Sequence, residues 1–113
     1  MVSHTGHMEA TIKAINTVDG CLGIISKKII AEGGAMIITA DHGNAEIMLS
    51  PTGDIDTEHN PSPIPCIIVS KELQGNHATL EEGILADVAP TILRMLNIPK
   101  PSQMTGRDIL SRL

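Results

Sequence analysis

Asp41 and His42 stand side by side directly after the apolar run Ala35-Met36-Ile37-Ile38-Thr39-Ala40. The first offers a hard carboxylate oxygen and the second an imidazole nitrogen, a mixture that suits Mn²⁺ or Zn²⁺. Gly43, next in the chain, lets the backbone turn sharply or approach a ligand closely. The competing reading makes Asp41 the cap of a short helix from Gly43 onward, with His42 on the surface. His59 lies in the loop that leads into a second apolar segment, Ile64-Pro65-Cys66-Ile67-Ile68-Val69; it reads either as a solvated loop histidine or as a group that converges with Asp41 and His42 at one sheet edge. His4 sits just ahead of a helical pattern, His7 at its start and His77 in a loop; the last two read as surface residues. No hydroxyl nearby (Ser3, Thr5 or Thr39) is marked as an activated nucleophile. Cys21 and Cys66 have no basic neighbour to favour a thiolate and read as core positions. The acidic run Asp54, Asp56 and Glu58 reads as a solvated face.

The elements that must hold these groups follow from periodicity. Met8, Ile12, Ile15, Val18, Leu22, Ile25 and Ile29 recur at steps of three and four, one face of a long amphipathic helix. Gly33-Gly34 supplies its stop. Gly20 and Gly23 weaken it locally, and a close approach by another backbone would explain them. The runs Ala35–Ala40 and Ile64–Val69 are short, apolar and β-branched, as buried strands are. Pro65 near the start of the second strand removes an N–H where that is tolerable. Between them, residues 50–62 are rich in Pro, Gly, Asp and Thr and read as a loop, as do residues 70–79. Asp87 is expected to be the N-cap of a second helix, Val88–Leu96, with Pro90 in its first turn. Pro99 and Pro101 close that helix, and Asp108–Leu113 is expected to form a last short one. Helices alternating with buried strands predict an α/β layer arrangement. Ligands in such sheets bind beyond the carboxyl ends of strands, where Asp41 and His42 fall. Two strands are too few to be stable alone, so the sheet is expected to continue in another segment or chain.

At 113 residues the chain has the size of one small domain. It contains no Phe, Tyr or Trp. A core of Ile, Leu, Val, Met and Ala buries less area per residue, which favours packing against something further. The net charge of −5 and the absence of a basic cluster argue against a nucleic-acid partner. No apolar run approaches the ~20 residues of a membrane span, and the first residues do not read as a signal peptide. Two unspaced cysteines fit reduced, buried thiols and a cytoplasmic location.

Several stretches taken together resemble the cofactor-independent phosphoglycerate mutases. They are Met1-Val2-Ser3-His4-Thr5-Gly6, Thr39-Ala40-Asp41-His42-Gly43-Asn44-Ala45-Glu46, His59 with Pro63-Ile64-Pro65, Leu85-Ala86-Asp87-Val88-Ala89-Pro90-Thr91-Ile92-Leu93, and Met104-Thr105-Gly106. The Ala-Asp-His-Gly-Asn-Ala-Glu and Ala-Asp-Val-Ala-Pro-Thr-Ile-Leu stretches are specific as a pair, and the resemblance covers nearly the whole chain. It implies residues 1–113 to be the C-terminal part of the metal-binding, phosphatase-type domain of such a mutase. The implied fold is a partial alkaline-phosphatase-like sheet flanked by helices, incomplete without an N-terminal segment.

The resemblance also implies a function. Family members interconvert 3-phosphoglycerate and 2-phosphoglycerate through a phosphoserine intermediate, with two Mn²⁺ or similar ions; Mg²⁺, Co²⁺ and Zn²⁺ are alternatives. Carried onto this sequence, His4 and His59 match ligands of one ion, and Asp41 and His42 match ligands of the other. A further aspartate ligand is expected shortly before His4, ahead of Met1. The serine nucleophile and another aspartate are expected from the N-terminal segment, which is the implied partner besides phosphoglycerate. The chain by itself is therefore expected to be inactive. Two other readings compete: a stand-alone metal-binding or regulatory module, and a piece of another superfamily phosphotransferase such as a phosphopentomutase. The Ala-Asp-Val-Ala-Pro segment and the Pro-Ile-Pro entry to the second strand favour the mutase.

Overall fold

The structure, a computed structural model, describes residues 7–48, 61–75 and 79–110. It forms two compact units, residues 1–71 and 72–113. The first holds helix α1 (Met8–Ala31) and strands β1 (Ala35–Thr39) and β2 (Cys66–Ser70). The second holds a single 3-10 turn (Leu85–Asp87) that runs into helix α2 (Val88–Met95).

The expected helix ends where Gly33-Gly34 said it should. Gly33 takes φ 71°. Its N–H donates to Ile30 O at 3.1 Å, and the Gly34 N–H to Ile29 O at 2.9 Å. That pair of bonds is a Schellman closure, which satisfies carbonyls the helix end would otherwise leave open. The close approach expected at the interior glycines is not seen. A Cβ built at Gly20 or Gly23 would meet nothing within 4 Å among the described residues, so none of their backbone approaches these positions.

β1 and β2 pair antiparallel, with Ala35 opposite Ser70 and Thr39 opposite Cys66. The second strand begins two residues later than its apolar pattern suggests. β1 ends at Thr39, so Ile64 and Pro65 have no opposing residue, and Pro65 has no N–H to offer. The strands were expected to be buried and are half-buried, because a two-stranded ribbon has little to cover its faces. α1 packs against both strands. Cys21 and Cys66 are free thiols, as expected, but Cys21 is exposed and Cys66 only half-buried, so neither is a core residue. Met48, Pro90 and Ile109 are the large buried apolar side chains among the described residues, in keeping with a chain that lacks aromatics. No helix among these residues is long and apolar enough to cross a membrane.

In the second unit Asp87 stands at the N-cap position of α2, as expected, but its side chain does not cap that helix. Its backbone is already helical and its side chain makes no cap bond to α2. One carboxylate oxygen instead accepts the Ile84 N–H at 2.9 Å, closing the 3-10 turn from within. The other accepts the Arg107 N–H at 2.8 Å. α2 ends in a second Schellman closure: Asn97 takes φ 54°, its N–H bonds Arg94 O, and the Ile98 N–H bonds Leu93 O at 2.9 Å. The last helix expected from Asp108 is not formed over Asp108–Leu110, where the Asp108 carboxylate takes the Leu110 N–H at 3.0 Å in a local turn.

Candidate functional site

β1 delivers the chain to Asp41 within two residues of its last paired position, Thr39. The turn that follows is not a helix, so Asp41 caps nothing and its side chain stands 89% exposed. The turn is instead held from its far side. The Glu46 carboxylate accepts the Asn44 N–H at 2.8 Å, and the Ile47 N–H bonds Asn44 O at 3.2 Å. Gly43 and Asn44 are buried beneath this turn.

His42 is oriented by its own neighbour. Nδ1 lies 3.0 Å from the Gly43 carbonyl oxygen. A carbonyl only accepts, so this contact assigns the proton to Nδ1 and leaves Nε2 as the basic nitrogen. Nε2 lies 3.7 Å from Asp41 Oδ1. A backbone carbonyl that fixes the tautomer of a histidine is the usual supporting partner of a metal-binding imidazole. The side chain is 29% exposed, so the ring is partly covered by the turn.

A carboxylate oxygen beside an imidazole nitrogen is the mixture of donor types that suits a divalent ion such as Mn²⁺ or Zn²⁺. Among the described residues no three His, Cys, Asp or Glu side chains gather into a metal site. His4 and His59, the other residues expected to bind metal, lie outside the described residues, as does His77. The antiparallel register bears on His59 only through the backbone. Because Thr39 opposes Cys66, the chain entering β2 arrives at the same end of the ribbon from which Asp41 and His42 leave. His7 is exposed at the start of α1 and makes no side-chain cap bond.

Sequence reasoning missed the density of contacts between two stretches that carry the family resemblance. A Cβ at Gly106 would overlap the Ala86 carbonyl oxygen, and one at Gly83 would lie 2.9 Å from Asp87 Oδ2. Thr91 is wholly buried; its hydroxyl donates to Asp87 O at 2.7 Å and accepts the Ile109 N–H at 3.2 Å. Lys100 Nζ spans the intervening turn, donating to Met104 O at 2.6 Å and Gly106 O at 3.0 Å. These residues are structural fastenings. The adjacent glycine and the isolated threonine were the only local signals, and neither names its distant contact.

Comparison with known proteins gives this geometry a setting. The chain is 50% identical over 113 residues to the 2,3-bisphosphoglycerate-independent phosphoglycerate mutase of Clostridioides difficile (strain 630), across 99% of this chain and 22% of that protein. It is 49% identical over 112 residues to the enzyme of the same name from Ruthia magnifica, across 98% of this chain and 22% of that one. Among solved structures it superposes on Leishmania mexicana phosphoglycerate mutase, crystallised at low cobalt concentration, with a TM-score of 0.76 and 27% identity, over 94% of this chain and 22% of that one. The chain thus spans about a fifth of the length of the relatives it matches. The expected fold is borne out: a helix-flanked α/β segment matching part of a mutase. Residues 1–100 match the description "Metalloenzyme superfamily", and by that match the chain belongs to this superfamily of metal-dependent enzymes.

Proposed function

We propose that this chain contributes one wall of the metal centre of a cofactor-independent phosphoglycerate mutase, which interconverts 3-phosphoglycerate and 2-phosphoglycerate in cytoplasmic glycolysis. In this reading residues 1–113 are part of the metal-binding, phosphatase-type domain. Asp41 and His42 bind one Mn²⁺ or similar ion, and His4 and His59 bind the other. The observation that carries the reading is the His42 Nδ1 contact with Gly43 O, which turns Nε2 toward the Asp41 carboxylate.

Divalent ions bound there would stabilise charge on the phosphoryl oxygens during in-line transfer. The chain's own residues do the rest of what is assigned to it. Asp41 supplies negative charge to hold a cation. The Gly43 carbonyl orients the imidazole through Nδ1, with Nε2 on the side of the Asp41 carboxylate. Glu46 stiffens the turn by holding the Asn44 N–H, which keeps both donors on a fixed backbone. Turnover is assigned to a protein that carries the remaining mutase sequence as well, because the relatives named as mutases extend well beyond this span.

The test is a calorimetric titration of the full chain with Mn²⁺, alongside Asp41→Asn and His42→Ala. Saturable binding that both substitutions abolish is the expected result. A folded chain that binds no Mn²⁺, or binds it equally well in both variants, would overturn the assignment. Repeating the titration with Co²⁺ and Zn²⁺ ranks the metals.

A further inference from the structure

The peptide group between Gly43 and Asn44 is engaged at both ends. Its carbonyl oxygen, Gly43 O, lies 3.0 Å from His42 Nδ1. Its N–H, that of Asn44, donates to Glu46 Oε2 at 2.8 Å. A trans peptide group is planar, with its N–H and C=O pointing to opposite sides. Rotation of that plane would lose both contacts together, so Glu46 and His42 are joined through one rigid unit. The glutamate is itself placed by the turn it belongs to. The Ile47 N–H bonds Asn44 O at 3.2 Å, which folds residue 46 back beside the Asn44 amide. Gly43 is buried and Asn44 is 7% exposed, so little water competes for the linking group.

We infer that Glu46 is a positioning residue for His42: its carboxylate, acting through the Gly43–Asn44 peptide group, sets the orientation and tautomer in which the imidazole meets a divalent ion. The inference rests on the metal centre proposed above and adds to it a residue that acts one peptide group away from the ligand. An ionised acceptor makes a shorter and stronger hydrogen bond than a neutral one. By drawing on the Asn44 proton it polarises the peptide and makes Gly43 O a better acceptor, by about 10–30% for bonds linked in a chain. Nδ1 is thereby favoured as the protonated nitrogen, with Nε2 on the side of Asp41. Metal-binding histidines commonly lean on a carboxylate or a backbone carbonyl. Here the carbonyl stands between, and the carboxylate reaches the ring through it. A glutamate that only closed a surface turn would hold residues 44–47 and leave the ring unaffected.

Two readouts on the full chain test this. The first needs no metal: the ¹⁵N spectrum of the histidine rings at about pH 8.5, above the ordinary titration of histidine. The His42 signals are assigned by their loss in His42→Ala. Wild type should show the proton of the His42 ring on Nδ1. Glu46→Ala should shift the ring toward the mixture of tautomers found in free imidazole, and Glu46→Gln, which keeps an acceptor and loses the charge, should lie between. The second readout is Mn²⁺ affinity by calorimetry. Glu46→Ala should weaken it by about tenfold, the lower end of the effect of removing a partner that supports a metal-binding side chain, and Glu46→Gln should recover part of the loss. Glu32→Gln removes a charge that serves only Lys28 among the described residues, and should change neither readout.

A His42 spectrum unchanged by Glu46→Ala overturns the inference, even where Mn²⁺ affinity falls, because Glu46 would then act on the turn alone. Failure of Glu46→Gln to recover any of the loss overturns it as well. If Glu46→Ala does not fold, Glu46→Gln decides by itself, and a His42 spectrum identical to that of wild type and Glu32→Gln counts against the link. A wild-type chain that binds no Mn²⁺ would reject the proposed metal centre, and the spectra taken without metal would still decide whether Glu46 governs His42.

Discussion

The carboxylate of Asp87 holds the backbone N–H of Arg107 at 2.8 Å across twenty residues of sequence. Its other oxygen holds the Ile84 N–H, so one buried side chain joins the start of α2 to a segment that has no regular structure of its own. The Arg107 guanidinium reinforces the same join, reaching Glu81 Oε2 and Glu82 O at 3.1 Å each.

These contacts set a pH dependence. The N–H groups of Ile84 and then Arg107 stabilise the ionised carboxylate; burial opposes them and the Arg107 charge assists, and the net result lowers the Asp87 pKa below its ordinary 3.8. A carboxyl whose native pKa is lowered stabilises the fold fully above the unfolded value and loses that contribution as pH falls through the native one. The stability gap between wild type and Asp87→Asn should therefore be constant from neutral pH down to about 4 and should close below it. Urea titrations at a series of pH values measure the gap. A gap that widens on acidification would refute the assignment.

Thr91→Val preserves shape while removing the hydroxyl that serves both Asp87 O and the Ile109 N–H. Leaving a buried donor unpaired should cost about 1–3 kcal/mol, whereas Thr91→Ser, which keeps the hydroxyl, should cost less. Thermal melts of the two variants decide this; equal losses would mean that the methyl group matters and the hydrogen bonds do not.

Gly106→Ala should be among the most damaging single changes in the second unit. Its Cβ would fall on the Ala86 carbonyl, which is backbone and has nowhere to move without breaking the 3-10 turn. The loss should exceed the ~1–3 kcal/mol typical of overpacking a side chain. Soluble yield and circular dichroism will show it, and a wild-type melting curve would contradict the geometry.

Gly20→Ala should do the opposite. The position is mid-helix, exposed and open, so a methyl group meets nothing and the backbone entropy cost of glycine is removed. A gain of about 1 kcal/mol is expected, visible as a melting temperature roughly 4 °C higher. A decrease would mean that some other surface needs the small residue there.

Much of the fold was legible in the sequence because its signals are local. α1 announced itself by spacing and its end by Gly33-Gly34; β1 was bounded by the same glycines and by the polar switch at Asp41. β2 was displaced by two residues because where a strand begins depends on how far its neighbour extends. The side-chain partners of Asp87 were missed for a similar reason. An acidic residue before a helix looks like a cap, and its true contact at Arg107 is too far along the chain to show as a pattern. Cys21 was assigned to a core because periodicity identifies which face is apolar and says nothing of whether it is covered. Of the candidate site, Asp41 and His42 were singled out by their place after a strand, whereas the contact of Gly43 O with His42 depends on a turn conformation that residue types do not specify.

The fastening of residues 106–109 also has a signature in time. Arg107 and Ile109 belong to no helix or strand, and coil amides ordinarily exchange their hydrogens with solvent quickly. Here both are bonded to buried side chains of one neighbouring segment, Asp87 and Thr91. They can be released only when that segment opens. Their deuterium uptake should therefore be slow and should keep pace with the interior of α2, so that a stretch without regular structure behaves as one cooperative unit with a helix.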